Sequence, residues 1–220
     1  MIVTIDGPAG AGKSTVAKLL AQRLGFHFLD TGAMYRCVVL GALERNIDLT
    51  DADALLRFAK EMEIDLRDDK VYLFGADVSR LIRTSEITKQ IHYAANHPGV
   101  RERMVALQRH IASQGNYVTE GRDQGTVAFP NAKHKFFLTA TPRARAERRW
   151  YELARRGESI TVEEVLEQQR ERDRRDEERE HGPLIAAKDA VLVPSDELTP
   201  VQVVDLMELR VLGLKDPQSK

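Results

Sequence analysis

The segment Gly7-Pro-Ala-Gly-Ala-Gly12-Lys13-Ser14 decides the fold of this chain. It fits the pattern G-x-x-x-x-G-K-[ST], a glycine-rich loop whose backbone N–H groups cradle phosphate oxygens. The apolar run Ile2–Ile5 leads into the loop, and Ser14–Leu24 follows it with apolar residues on one helical face. Because strand, loop and helix are the setting that the motif requires, we expect the chain to bind a nucleoside triphosphate.

Each part of this phosphate loop has an expected task. Glycines let consecutive N–H groups point inward without a Cβ clash, and the N-terminus of the following helix favours an anion. Lys13 is expected to bridge the β- and γ-phosphates, and the Ser14 hydroxyl to hold Mg²⁺, the expected cofactor with ATP. The predicted ATP-binding residues are Gly7, Pro8, Ala9, Gly10, Ala11, Gly12, Lys13, Ser14 and Thr15.

Composition limits the class of protein. The chain has 220 residues and a net charge of −1, which argues against holding nucleic acid or an anionic membrane by bulk electrostatics. Its one cysteine, Cys37, cannot form an internal disulfide, which suits a reducing compartment. The first residues do not have the pattern of a signal peptide, and no run of 18 apolar residues occurs. We therefore expect a cytoplasmic monomer whose partners are small molecules.

Short apolar runs alternate with helical patterns along the chain. This order predicts a five-stranded parallel sheet with helices on both faces. The predicted strands are Ile2–Ile5, Phe26–Leu29, Tyr117–Thr119, Lys135–Leu138 and Ala190–Val193.

One stretch, Glu63–Ser79, breaks this rhythm. Apolar and polar residues alternate in it around Asp68-Asp69, with a second turn at Gly75–Asp77, which predicts an inserted antiparallel meander. We divide the single predicted domain into a core, a region that carries the insert, and a lid, which is the polar segment described next. The predicted bounds are 1–37, 103–150 and 184–213 for the core, 38–102 for the insert-bearing region, and 155–183 for the lid.

The lid segment is unusually polar. The 17 positions Glu167–Pro183 contain no Val, Ile, Leu, Met or aromatic residue, so we expect their helix to project from the core and to move. Between Arg143 and Glu180 there are 11 arginines and no lysine. Arginine's planar fork grips phosphate, and helical spacing puts Arg172, Asp176 and Arg179 on one face, with Arg175 at its edge. A mobile arginine lid favours a small-molecule kinase, because a closed lid excludes water from the transfer.

Several segments together resemble the bacterial cytidylate kinases, a family of nucleoside monophosphate kinases. The resemblance covers the chain from Ile2 to about Leu209. Besides the phosphate loop, it rests on Leu29-Asp-Thr-Gly-Ala-Met-Tyr-Arg36, Ile82-Arg-Thr84, Pro98-Gly-Val-Arg101, Glu120-Gly-Arg-Asp-Gln-Gly-Thr-Val-Ala-Phe-Pro130 and Glu171-Arg-Asp-Arg-Arg-Asp176 with Arg179.

The resemblance implies an activity and a set of roles. The activity is transfer of the γ-phosphoryl group of ATP to CMP or dCMP with Mg²⁺. The implied CMP-binding residues are Thr31, Arg36, His92, Arg101, Arg122, Asp123, Arg172, Asp176 and Arg179. Among them, arginines 36, 122 and 179 hold the acceptor phosphate, Arg101 and Asp123 read the cytosine, and Asp176 reaches the ribose. Lys13, Arg172 and Arg175 are the expected catalytic residues, since they stabilise charge on the transferring group.

Two positions depart from the family's pattern. Nine residues before Arg101 the family commonly has a serine that contacts cytosine, where this chain has His92. Three outcomes stay open for this contact with cytosine. His92 keeps it in an altered form, Tyr93 takes it over, or it is lost. Gln124 stands where the family usually has methionine, which we expect to affect packing only.

Alternative functions remain at this point. One alternative is a kinase for another small acceptor. Shikimate is disfavoured as that acceptor, because Asp30-Thr-Gly32 stands in place of the Asp-x-Asp typical of shikimate kinases. Specificity for UMP or AMP stays open because of His92. A nucleotide-sensing or RNA-binding module is disfavoured by the near-neutral charge and by the acids that accompany the arginines.

Overall fold

The structure, a computed structural model, describes residues 1–67 and 70–214. Strands and helices alternate as predicted around the phosphate loop. The strands are β1 Ile2–Asp6, β2 His27–Asp30, β3 Ile64–Arg67, β4 Lys70–Leu73, β5 Ala76–Asp77, β6 Tyr117–Gly121, β7 His134–Thr139 and β8 Val191–Pro194. The helices are α1 Lys13–Leu24, α2 Thr31–Glu44, α3 Ala52–Glu61, α4 Ser85–Asn96, α5 Pro98–Ala112, α6 Pro142–Ala154, α7 Val162–Glu177 and α8 Pro200–Leu212. Short turns of 3₁₀ and π helix span Leu81–Arg83 and Gln124–Ala128.

The main sheet has five strands in the order β2-β6-β1-β7-β8 and is flanked by helices, which confirms the predicted fold class. Strand β1 pairs in parallel with both β6 and β7. Its residues Val3 and Ile5 are fully buried against α1 and α8. Because side chains alternate along a strand, Thr4 and Asp6 point to the opposite face.

The chain forms two compact units. The first comprises Met1–Phe28 with the chain from Gly115 onward, and the second comprises Leu29–Gln114. In the second unit, α2 packs on α4 and α3 packs on α5. The same unit contains the predicted antiparallel meander, formed by β3, β4 and β5 in that order. Its predicted turn at Asp68-Asp69 lies outside the described residues, as does the chain end at 215–220.

The lid helix corrects one expectation. Helix α7 was expected to project from the core because its sequence is so polar. It packs along α6 within the first unit instead. Its first half contributes Val165 to a small apolar cluster with Ala146 and Leu153. Its second half buries polar side chains, namely Gln169, Asp173 and Asp176. The prediction of a projecting helix is wrong because it allowed only apolar side chains to dock a helix.

Candidate active site

The phosphate loop is fixed by main-chain geometry. Gly7 has φ 147°, and a Cβ built there would lie 2.1 Å from the Leu138 carbonyl oxygen, so only glycine fits. Gly12 caps α1 in the left-handed conformation, and Lys13 is the first residue of the helix. The loop therefore leaves β1 against β7 and turns directly into a helix N-terminus, which is an anion-binding arrangement.

Lys13 is a buried cation at this helix start. Its side chain donates to the Pro8 carbonyl oxygen over 2.8 Å, and the residue is only 5% exposed. Burial and then the neighbouring charge of Arg122 lower the pKa of Lys13 to about 7, although Glu120 opposes the shift. A cation so poorly solvated gains strongly from an added phosphate, because burial strengthens charge interactions.

Ser14 faces an acidic partner from the adjacent strand. The Ser14 hydroxyl donates to Glu120 Oε1 over 2.8 Å. The parallel register places Glu120 beside Ile5, so the ends of β1 and β6 bring both side chains to one edge of the sheet. The sequence analysis did not assign Glu120 a role in metal binding. Hydroxyl and carboxylate oxygens are the ligands that Mg²⁺ takes, so this pair fits the cofactor.

Further carboxylates do not gather into a dedicated metal cage. Within residues 1–67 and 70–214, no cluster of three or more His, Cys, Asp or Glu side chains has the arrangement of a metal site. A magnesium ion carried by a nucleotide commonly keeps waters and phosphate oxygens and takes only one or two protein ligands. The Ser14–Glu120 pair matches that smaller demand.

Asp6, at the end of β1, is a buried carboxylate that the sequence analysis did not select. It accepts hydrogen bonds from the backbone N–H groups of Gln124 and Gly125, over 2.9 and 2.7 Å. Burial raises the pKa of Asp6 to about 6 against the effect of these two donors, and the nearby charge of Asp123 adds to the rise. Asp6 thus anchors the turn that follows Asp123. Its position directly before the phosphate loop was the available signal.

Arg122, Asp176 and Arg179 form one buried ion-pair cluster. Arg122 Nε donates to Asp176 Oδ2 over 2.8 Å, and Arg179 Nη2 donates to the other oxygen of the same carboxylate. Burial works against ionisation of Asp176, but the arginines outweigh it and its pKa is lowered, with Arg172 contributing as well. The structure therefore brings together four residues that the resemblance assigned to CMP. Arg179 follows the end of α7 rather than lying on its last turn.

Arg172 and Arg175 differ in their surroundings. Arg172 lies near enough to Lys13 to lower the pKa of that lysine. Arg175 instead forms an ion pair with Glu171, one turn back, at 3.2 Å, and donates a hydrogen bond to the Glu171 carbonyl oxygen.

Asp123 is buried at the end of β6, and Gln124 accepts a hydrogen bond from the Thr119 hydroxyl over 2.6 Å. At the position where the family usually has methionine, Gln124 therefore forms a buried hydrogen bond. The difference affects hydrogen bonding as well as packing.

A second buried ion pair joins α6 and α7 beneath the loop. Arg145 Nη1 donates to Asp173 Oδ2 over 2.6 Å, and both side chains are nearly buried. Neither residue was selected from the sequence. They are 28 positions apart within a stretch rich in both charges, so no pattern separates them from exposed neighbours.

The second unit holds the remaining predicted residues. Thr31 is buried at the start of α2, directly after Asp30, whose carboxylate caps the helix through Ala33 N–H at 2.9 Å. The other oxygen of Asp30 accepts from Arg83 Nη2 over 2.8 Å. Arg36 lies over the open face of Gly32, where a Cβ would be 3.2 Å from Nη1. The segment Leu29–Arg36 is therefore a capped helix start with an arginine one turn inside it.

Arg101 and His92 belong to neighbouring helices of this unit. Arg101 is buried, donates to the Ala95 carbonyl oxygen over 3.0 Å and lies 5.7 Å from the centre of the Tyr35 ring. His92 Nδ1 lies 2.9 Å from the Lys89 carbonyl oxygen, and its ring contacts that of Tyr93. Because a carbonyl only accepts, this contact favours the tautomer with the proton on Nδ1 and leaves Nε2 an acceptor.

Comparisons with known proteins agree on one family. The family model for cytidylate kinase matches residues 3–211. A curated cytidylate kinase of Rhodopirellula baltica is 49% identical over 203 residues, covering 92% of this chain and 89% of its own length. That of Pelotomaculum thermopropionicum is 46% identical over 214 residues and covers 95% of both chains. That of Bacillus subtilis is 43% identical over 207 residues and covers 92% of both.

Solved structures show the same fold at lower identity. A shikimate kinase from Bacteroides thetaiotaomicron has a TM-score of 0.50 and 15% identity, covering 97% of this chain and 99% of its own. The protein TT1252 from Thermus thermophilus has a TM-score of 0.51 and 17% identity, covering 98% of both chains.

No helix in residues 1–67 and 70–214 has the length and apolarity that crossing a membrane takes.

Proposed function

The chain belongs to the cytidylate kinase family, and from that premise we propose which residues carry out its reaction. The protein transfers the γ-phosphoryl group of ATP to CMP or dCMP, giving ADP and the nucleoside diphosphate. One observation supports the assignment most directly. Lys13, Arg122 and Arg172 are close enough that the two arginines depress the pKa of the lysine, and Asp176 holds Arg122.

The donor is bound by the phosphate loop, residues 7–15, with the α1 N-terminus directed at its phosphates. Ser14 and Glu120, which are joined by a hydrogen bond, would hold the magnesium ion of the nucleotide. When bound, Mg²⁺ neutralises charge on the phosphate oxygens. Lys13 contacts the β- and γ-phosphates, and its low pKa means that the anion restores a full positive charge.

The acceptor reacts without a general base, because its phosphate is already an anion. An oxygen of that phosphate attacks the γ-phosphorus in line with the leaving ADP oxygen. Lys13, Arg172 and Arg175 stabilise the charge spread over the transferring group. Arg36, Arg122 and Arg179 hold the acceptor phosphate, and Thr31 assists them.

The nucleoside is read by carboxylates and by His92. Asp123 accepts from the exocyclic amine of cytosine, and uracil offers a carbonyl there, so the same carboxylate repels UMP. Nε2 of His92 is an acceptor in the tautomer that the Lys89 carbonyl oxygen favours, which suits a hydrogen-bond donor of the base. Arg101 contacts the ring, and Asp176 accepts from a ribose hydroxyl while it retains its two arginines.

A panel of acceptors tests these roles. ADP formation from ATP and Mg²⁺ is measured with CMP, dCMP, UMP, AMP or shikimate, each supplied alone. We expect rapid turnover with CMP and dCMP only, and a fall of about tenfold or more in the CMP/UMP ratio of kcat/KM for Asp123→Asn. A ratio near one in the unaltered protein rejects the role of Asp123. Silence with every acceptor despite ATP binding favours a nucleotide-sensing module instead.

His92 and the oligomeric state need separate measurements. His92→Ser restores the family's usual residue, so we expect CMP turnover to be kept, whereas His92→Leu removes the acceptor and lowers kcat/KM for CMP. Equal values in the leucine variant reject the contact. We also propose that the protein is cytoplasmic and monomeric, and light scattering at micromolar concentration tests the monomer by its mass of about 24.8 kDa.

A further inference from the structure

Helix α7 is held to the phosphate loop by a buried polar bridge. Asp173 on α7 accepts from Arg145 on α6 through Oδ2. Its other oxygen, Oδ1, lies 3.4 Å from the backbone nitrogen of Ala9 in the loop. Arg145 Nη1 in turn donates to the Ala9 carbonyl oxygen over 2.9 Å. The two side chains therefore hold both polar groups of a single loop residue.

The surroundings make this bridge rigid. Arg145 Nε also donates to the Ala140 carbonyl oxygen over 3.1 Å, which ties its guanidinium to the end of β7. Gln169, one turn before Asp173, donates to the Arg145 carbonyl oxygen over 3.3 Å. A Cβ on Gly10 would lie 2.7 Å from the Gln169 amide and 3.1 Å from Arg145, so loop and helices are in direct contact. Buried charges with several fixed partners have little freedom to rearrange.

The position of the bridge links it to the reaction. Arg172 is the residue before Asp173, and its charge bears on Lys13. The apolar contacts of α7 are confined to its first half, around Val165, so they do not fix the second half. Only polar side chains, Gln169 and Asp173 among them, are buried along the part of α7 that follows.

We propose that Asp173 and Arg145 are positioning residues that set the distance between the lid arginines and the phosphate loop, so that the phosphoryl group goes to the acceptor rather than to water. The inference rests on the proposed role of Arg172 and goes beyond it. Displacement of a catalytic group by about 1 Å costs up to about 10²-fold in rate. A loosened α7 also admits water, and closure that excludes water is what suppresses hydrolysis.

The test compares Asp173→Asn and Arg145→Lys with Arg174→Ala. Arg174 is on the same helix but exposed, and it pairs only with Glu171 and Glu178 among the ion pairs of the described residues. At 15 °C, after circular dichroism has shown each variant to be folded, we measure kcat, KM for both substrates and the ratio of ADP to CDP formed. We expect kcat to fall about tenfold or more in the two bridge variants, with a ratio above one, and both values to stay unchanged in Arg174→Ala.

Two further variants keep the outcome decisive. Asp173→Glu keeps the charge but moves it, so we expect it to fold and to show an intermediate ratio. A lowered Tm with unaltered kcat and ratio in all bridge variants makes the pair merely structural and overturns the proposal. Arg172→Ala separates the two hypotheses, since unaltered kcat there rejects the arginine's role. A low kcat in Arg172→Ala with normal Asp173→Asn kinetics rejects the bridge alone.

Discussion

The phosphate loop and helix α7 are built in opposite ways. The loop takes its shape from main-chain constraints, such as the close approach of Gly7 to the Leu138 carbonyl group. Helix α7 is positioned along its second half by side-chain charges, Asp173 to Arg145 and Asp176 to Arg122. A main-chain site depends on a short, local pattern of residue types. A side-chain site depends on distances that the fold alone supplies.

Two buried carboxylates, one next to the loop and one on α7, show the same contrast in their pKa values. Asp6, next to the loop, and Asp176, on α7, are both almost fully buried. Burial raises the pKa of Asp6 to about 6, since its partners are neutral backbone N–H groups and other carboxylate charge lies nearby. The pKa of Asp176 is lowered because Arg122, Arg172 and Arg179 outweigh the same burial. The charge of the partners, rather than the depth of burial, decides the sign.

The largest expected effect concerns the cation of the loop. Lys13→Met removes the charge at the α1 N-terminus and keeps most of the side-chain volume. Because Lys13 contacts the β- and γ-phosphates, it stabilises the charge that develops on the leaving oxygen in the transition state, so we expect kcat to fall by about 10³-fold or more. Pre-steady-state CDP formation measures the loss, and binding of an ATP analogue checks that the loop still forms. A fall of less than tenfold would reject Lys13 as a main source of the stabilisation.

The next effect tests the main-chain character of the loop. Gly7→Ala places a Cβ against the Leu138 carbonyl group at a φ that other residues avoid, so we expect a loss of at least about 4 kcal/mol of unfolding free energy. Gly25→Ala is the matched control, because Gly25 also has positive φ but open space around it, and should cost about 1 kcal/mol. Urea denaturation measures both. Equal losses would show that conformation rather than the clash restricts Gly7.

This contrast also explains what the sequence predicts. The strand, loop and helix at Ile2–Leu24 follow from a local motif, and the meander follows from alternating residues such as Ile64 and Leu66, so both predictions are confirmed. The docking of α7 was missed because its buried Asp173 has the same residue type as many exposed acids nearby. The Ser14–Glu120 contact required the parallel register of β1 and β6, which brings positions 106 apart together.

The pH dependence of stability should have opposite signs for the two carboxylates. Asp6 binds its proton more tightly in the folded state, so between pH 4 and 6 its contribution to unfolding free energy declines as pH rises, by about 3 kcal/mol at most. Asp176 has a lowered pKa, so its contribution is present above the usual value of 3.8 and declines as pH falls below it. Urea denaturation of Asp6→Asn and Asp176→Asn at several pH values, compared with the unaltered protein, measures the contribution of each carboxylate to the unfolding free energy. Parallel slopes would contradict the assigned partners.

The smallest effect is the pH dependence of ATP affinity. Lys13 has a pKa of about 7 in the free protein, so a rising fraction is neutral above that value and must take up a proton when the anion binds. Between pH 7.5 and 9 the nucleotide phosphates are already ionised, so the dissociation constant should rise with pH, approaching tenfold per unit at most. Calorimetry in two buffers of different ionisation enthalpy should also detect proton uptake. Lys13→Met should remove both the slope and the uptake, and a slope that persists in this variant would assign the titration to another group.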